Sequence, residues 1–179
     1  MGLRAIGPYT IEGSLGVGGM GRVFRAVTTQ AMGSVGAGST VALKVLHPHL
    51  LEAKSFQERF RREAELGQRV VHENVVRTLA GHTFEDDGAP HHALVMEYVE
   101  GQTVRSLLED LGVVPEELCR HIGREIAKGL AAIHAAGAVH RDLKPENVLI
   151  TRDHHVKVMD LGVAWLQDEA IRLSRTGSF

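Results

Sequence analysis

The sequence predicts an α+β fold in which a strand-rich first half precedes a helical second half. Three observations carry that prediction. Segments 9–15 and 41–46 alternate, segment 23–27 is β-prone, and Gly-rich stretches separate the three. One charged helical segment, 55–70, follows them. A longer segment, 115–135, carries Leu118, Ile122, Ile126, Leu130 and Ile133 as an apolar stripe, with Pro115 at its start and Gly137 after its end. A chain of 179 residues suffices for one domain that buries roughly 70% of its unfolded surface.

Composition excludes several classes. A net charge of −2 gives no basic field to recruit nucleic acid or an anionic membrane. The single cysteine, Cys119, supplies no disulfide framework and points to a reducing compartment such as the cytoplasm. No run reaches the ~18 apolar residues of a membrane span.

In chain order, residues 9–15 read as the first strand. Gly16-Val17-Gly18-Gly19-Met20-Gly21-Arg22-Val23 then fits G-x-G-x-x-G-x-V, whose glycines let backbone N–H groups meet phosphates. A dinucleotide-binding loop has the same glycines but opens a helix; the β-prone residues 23–27 argue for a strand–turn–strand hairpin. Residues 28–40 are rich in Gly, Ser and Ala and read as a flexible surface insertion with no assigned role. Lys44 stands inside the apolar strand 41–46, where a buried lysine is costly unless paired. On helix 55–70, Phe56, Phe60, Ala64 and Gly67 share a face. Residues 75–79 and 93–96 read as two strands around a polar turn at 85–90. Residues 103–111 read as a short helix before the long one.

The densest chemistry lies in Val139-His140-Arg141-Asp142-Leu143-Lys144-Pro145-Glu146-Asn147-Val148-Leu149-Ile150. Asp142 can orient a hydroxyl and take its proton, Lys144 can neutralise a transferring phosphoryl group, and the Asn147 amide oxygen can bind a hard metal ion. Pro145 stiffens the loop, and Leu143 with residues 148–150 is expected to hold it down. Taken alone, the same residues also suit a polar turn before a buried strand. Residues 156–158 suggest a hairpin ending in Asp160.

H-R-D-L-K-P-E-N resembles the catalytic loop of the eukaryotic-type (Hanks-type) serine/threonine protein kinases. The flanking motifs agree in order: the glycine loop, V-A-L-K ending at Lys44, Met96-Glu97-Tyr98-Val99 as the hinge, and D-L-G at 160–162 in place of D-F-G, with Leu161 still a large apolar plug. The G-G-M-G-R-V-F form of the loop is most similar to bacterial members. The resemblance implies a two-lobed fold: a tail at 1–8, an antiparallel-sheet lobe with one helix and the hinge at 9–99, and a partial helical lobe at 100–179 ending in the activation segment. It implies ATP and Mg²⁺ as cofactors, protein Ser/Thr hydroxyls as acceptors, and self-phosphorylation in trans.

By the same match Asp142 is the base and Lys144 the phosphate-neutralising group, while Asn147 and Asp160 hold the metal. Lys44 holds the α- and β-phosphates and pairs with Glu63, nine residues before His72 of an H-x-N turn; Glu65 is the rival. The loop from Gly16 to Arg22 covers the phosphates. Leu15, Val23, Ala42 and Leu149 sandwich the adenine, Met96 is the gatekeeper, and the backbone of Glu97 and Val99 hydrogen-bonds the base. Gly67 stands where many members carry a larger apolar residue, so weaker packing between its helix and the lobe below is expected. Thr176, then Ser174 and Ser178, are the candidate phosphosites, with Arg141 placed to pair with an added phosphate.

The matching motifs stop before A-P-E, so the sequence reads as a catalytic domain truncated there. On that reading the long helix lacks cover worth on the order of 5–10 kcal/mol, and the isolated chain is expected to be marginally stable. Two other readings stay open: a kinase-like small-molecule phosphotransferase, and a non-catalytic nucleotide-binding or regulatory fragment.

Overall fold

A computed structural model of the chain describes residues 5–33, 35–47, 54–86, 89–161 and 165–166. It divides into two compact units, one of residues 1–68 and 77–98, the other of 69–76 and 99–179. Residues 69–76, assigned from sequence to the first lobe, therefore belong with the second unit. Among the described residues no helix is long and apolar enough to cross a membrane.

Among the described residues the first unit is a six-stranded antiparallel sheet with one helix. Its strands are β1 (Ala5–Ile6), β2 (Tyr9–Gly18), β3 (Gly21–Thr28), β4 (Thr40–Leu46), β5 (Thr78–Asp86) and β6 (Ala89–Glu97), in the order β1-β2-β3-β4-β6-β5. Helix α1 spans Lys54–Arg69. Twice along β2 two residues face one on β3, between Ile11 and Gly13 and between Ser14 and Gly16. Glu12 and Leu15 are thus the extra residues of β-bulges, which explains why the alternation of this strand fades toward Leu15. One face of the sheet buries Tyr9, Ala26, Val41, Leu43, Ala93 and Val95. Phe60 and Ala64 of α1 pack with Leu46 and Leu94 in a second cluster.

Two expectations need correction here. Residues 28–40 are not a loose insertion: Val35 is only 6% exposed and joins the main core. Met32 and Val35 exchange backbone hydrogen bonds of 2.8 and 3.0 Å, and the Thr28 hydroxyl donates to Gly36 O at 2.7 Å. Buried apolar area from one valine and a satisfied backbone outweigh the Gly/Ser composition. The strand expected at 75–79 starts only at Thr78 and runs on to Asp86, pairing through Asp86↔Ala89 into what was read as a turn. Within this unit Gly67 has a packing role of its own: a Cβ there would overlap the Thr78 hydroxyl, so its absence permits close approach of helix and strand.

The second unit holds β7 (Gly101–Thr103), α2 (Val104–Leu111), α3 (Glu116–Ala135), β8 (Ala138–Val139), a 3₁₀ turn (Pro145–Asn147), β9 (Val148–Thr151), β10 (Val156–Val158) and β11 (Trp165–Leu166). Thr103 caps α2 by accepting from Ser106 N at 3.1 Å. Gly137, at φ 78°, turns the chain out of α3. Strands β10, β9 and β7 form one small antiparallel sheet, and β11 pairs with β8. Ile122 of α3 packs with Val148, Ile150 and Val156, with Leu118 and Ile126 alongside.

Asn74 ties segment 69–76 to this unit. Its Nδ2 donates to Val156 O at 2.8 Å and Glu125 Oε2 at 3.2 Å, and its carbonyl accepts from Val158 N at 2.8 Å. These bonds hold Val75 and Val76 against β10, which is why no strand begins there. Gly129 is required on α3 because a Cβ would lie 2.6 Å from Asn74 O. Glu125, on the buried side of α3, accepts from Lys128 at 2.8 and 3.0 Å and from Arg124 at 3.2 Å. The Lys128 hydrogen bond first, then Arg124 and Asn74, overcome the opposing effect of burial and pull the Glu125 carboxyl down to about 2.

Two predictions follow from this packing. Gly67→Ala should lower stability in urea titrations, because overlap with Thr78 costs about 1–3 kcal/mol and the gain in helix propensity recovers at most about 1 kcal/mol. In a Thr78→Gly background the same Gly67→Ala change should carry no such loss. Glu125 stays charged in the fold down to about pH 2, whereas the unfolded chain takes up its proton near 4.5. Its contribution is therefore present above pH 4.5 and lost as pH falls toward 2. Melting temperatures across that window should fall less steeply in Glu125→Gln than in the parent chain.

Candidate active site

The glycine hairpin is the turn between β2 and β3, closing at Gly18↔Gly21. Gly21 is dictated by packing, since a Cβ would overlap Val45 O on β4. A Cβ at Gly16, Gly18 or Gly19 would meet nothing within 4 Å, so protein packing does not explain those three. They suit close approach of ligand oxygens to backbone N–H groups. Met20 at the tip packs against the Leu46–Phe60–Ala64–Leu94 cluster, leaving its backbone as the part that can serve a ligand. His47 N donates to Met20 O at 3.1 Å and fixes the tip to the end of β4. Arg22 lies over the Phe24 ring at 5.4 Å, and Val17 is exposed.

Lys44 extends from β4 opposite Val23 and Leu94. Its Nζ donates to Glu63 Oε1 at 3.1 Å, and both side chains are 9% exposed. Glu65 instead lies in solvent beside Arg61. Two residues along α1 turn a side chain about 200° round its axis, so of these two glutamates only Glu63 faces the sheet. Ala42 is buried, Leu15 is half exposed, and Met96 and Glu97 close β6, where Glu97 pairs with Val41.

The second unit carries Asp142, Lys144, Asn147, Asp160, Val99 and Leu149. Asp142 Oδ2 accepts from Lys144 Nζ at 2.7 Å and from Asn147 Nδ2 at 3.0 Å. Asn147 Nδ2 also reaches Asp142 O at 2.8 Å. The Lys144 hydrogen bond, with help from Asn147, holds the Asp142 carboxyl below its ordinary range, and Asp142 in turn raises Lys144. Met159 N donates to Asn147 O at 2.9 Å, which joins the residue before Asp160 to the same loop. Asn147 commits its amide nitrogen to Asp142, which leaves Oδ1 for a cation. That oxygen and the Asp160 carboxylate are hard donors, and a small divalent ion needs few protein oxygens.

The apolar residues hold the loop only in part. Val148 and Ile150 are buried, but Leu143, expected to pin the loop, is 44% exposed. The anchor is His140, fully enclosed, which the sequence reading left without a role. Its Nδ1 accepts from Asp142 N at 3.3 Å, so Nε2 carries the proton and donates to Met159 O at 3.0 Å. Arg141 and Asp160, flanking these bonds, sit at φ 64° and 66°. Such conformations cost roughly 1–3 kcal/mol each and persist where neighbouring bonds over-determine them. Leu161 is 6% exposed, in keeping with an apolar plug. Glu146 accepts from Arg105 Nε of α2 at 2.9 Å, a tether that no motif spacing announces. The candidate phosphosites Ser174, Thr176 and Ser178, and the side chain of Phe56, lie outside the described residues.

The family model described as "Protein kinase domain" matches residues 9–177. A serine/threonine-protein kinase of Corynebacterium efficiens, drp72, is 37% identical over 96% of this chain and 32% of its own length. The kinase PknA of Corynebacterium glutamicum is 37% identical over 94% of this chain and 35% of its own length. The kinase pkn2 of Myxococcus xanthus is 39% identical over 96% of this chain. The chain spans 20–35% of the length of these relatives.

Removing one member of a buried ion pair leaves the other desolvated, at a cost of roughly 3–5 kcal/mol. Glu63→Ala should therefore lower the unfolding midpoint of the first unit strongly. Glu65→Ala, in solvent, should change it by less than about 0.5 kcal/mol. Denaturation followed by a probe on the sheet distinguishes the two.

Proposed function

From the chain's membership of the protein kinase domain family, we propose that it carries out transfer of the ATP γ-phosphoryl group to Ser or Thr hydroxyls of proteins. One observation carries the reading. Lys144 and Asn147 both donate to Oδ2 of Asp142, which leaves Oδ1 to accept from an incoming hydroxyl. The group supplied by ATP with its divalent ion, Mg²⁺ in this reading, is an activated phosphoryl whose transfer demands positioning and charge neutralisation more than covalent help.

Each residue then has a task. Lys44, held by Glu63, neutralises nonbridging oxygens of the nucleotide, and the backbone from Gly16 to Arg22 covers the phosphates. Met96, Glu97 and Val99, with Leu15, Val23, Ala42 and Leu149, take the adenine. Asp142 aligns the acceptor hydroxyl and receives its proton at Oδ1. Lys144 screens charge that develops on the phosphoryl oxygens. Asn147 and Asp160 supply the oxygens for the ion. Phosphate added to Thr176, Ser174 or Ser178 would pair with Arg141. Self-phosphorylation in trans and a cytoplasmic setting belong to the same reading.

The R-D-L-K order supports a protein kinase over a small-molecule phosphotransferase, since Lys144 fills the charge-neutralising position directly beside Asp142. Titration of ATP and Mg²⁺ into the chain should show binding that Lys44→Ala and Asp160→Ala each abolish. Binding that survives both substitutions would overturn the site. Asp142→Asn should retain nucleotide binding and lower phosphotransfer to a protein acceptor by about 100- to 10,000-fold. Transfer to aminoglycosides or choline but not to protein would reverse the choice of acceptor.

A further inference from the structure

We propose that Arg25 is a positioning residue for nucleotide binding: with Glu12 it clamps the Tyr98 ring and so fixes the backbone that leaves β6. The inference rests on the reading above, in which the peptide groups around Glu97 face the adenine.

The ladder between β4 and β6 ends at Val41↔Glu97. Glu97 is held from one side, since its N donates to Arg77 O at 3.0 Å and its carboxylate accepts from Arg77 N at 2.8 Å. The next residue, Tyr98, has left the ladder, so a contact made by its side chain can constrain the backbone there. That ring lies beneath the Arg25 guanidinium, 5.1 Å from Cζ to the ring centroid. Arg25 itself stands on β3 in register with Ala42, on the sheet face that also carries Val23.

Glu12 completes the clamp. It is the extra residue of the bulge between Ile11 and Gly13, and a bulge re-aims a side chain that regular pleating would send elsewhere. Its Oε2 meets Arg25 Nε at 3.0 Å. The guanidinium thus uses its edge for the carboxylate and its flat face for the ring, a double use open to arginine but not to lysine. Both charged side chains are over a third exposed, so the pair adds little to stability. Its effect falls on the conformational freedom of the peptide after Glu97, which a bound base would otherwise have to freeze.

The test uses the whole chain and two probes, ATP with Mg²⁺ and tripolyphosphate with Mg²⁺. Arg25→Ala and Tyr98→Leu should weaken ATP about two- to fivefold, the range of an exposed cation–π contact. Both should leave tripolyphosphate unchanged, Tyr98→Phe should leave both ligands unchanged, and Arg25→Lys should fall between. Without nucleotide, hydrogen exchange of the peptide spanning residues 96–99 should rise in Arg25→Ala. Equal losses for both ligands would overturn the proposal, as would unchanged exchange. If the parent chain binds neither ligand, the nucleotide reading fails; the exchange measurement still decides whether Arg25 holds residues 96–99.

Discussion

The second unit turns on a single amide. Asn147 donates through Nδ2 to both the carbonyl and the carboxylate of Asp142. Its backbone closes the 3₁₀ turn through Lys144 O and receives Met159. Four consecutive constraints therefore meet at a residue that is itself buried. His140 adds a second bridge between the same two stretches of chain, from Asp142 N to Met159 O. Together they can hold Arg141 and Asp160 at positive φ, a conformation that neither residue would keep on a loosely tethered loop. The loop's polar side chains are its core, which explains how Leu143 can remain exposed.

The two units manage buried charge differently. In the first, Lys44 and Glu63 stand on different elements, a strand and a helix, and hold each other in a site with little water. Their attraction must repay desolvation of both, so the pair says little for stability and much for keeping an ammonium in one place. In the second, Glu125 gathers Lys128 and Arg124 from its own helix and Asn74 from the segment across it. The cations lie at the rim, where they keep most of their hydration, so the carboxylate stays ionised without a fully buried counter-ion.

Much of this was legible in the sequence, and the reasons for success and failure are physical. The hairpin glycines, the apolar stripe of α3 and the short helix α2 follow from local periodicity and turn chemistry, which short windows contain. The choice of Glu63 over Glu65 came from spacing to His72, and the helical period places only the former toward the sheet. What escaped were features set by contacts distant in sequence. Val35 looks like one apolar residue in a flexible stretch until it meets the core of the sheet. Val75 and Val76 are good strand formers, but Asn74 commits them to β10, 82 residues from Asn74 to Val156. Glu125 carries no signal in the sequence because nothing local marks the face that Asn74 covers. The nucleotide-site assignments rest on motif order alone, whereas the distances within each unit are properties of the fold.

The charge state of Asp142 bears on what such a loop can do. Lys144 holds the carboxyl below its ordinary range, which makes it a weaker base than a free aspartate. A reaction needing early removal of the acceptor proton would be poorly served by that arrangement. Phosphoryl transfer through a loose transition state asks the protein mostly for positioning and charge stabilisation rather than for a strong base. The geometry therefore favours orientation: one oxygen of Asp142 is fixed by two donors so that the other has a defined direction. The lysine that weakens Asp142 as a base is the same group that can screen the transferring phosphoryl oxygens, so the loss in proton affinity and the gain in charge neutralisation come from one contact.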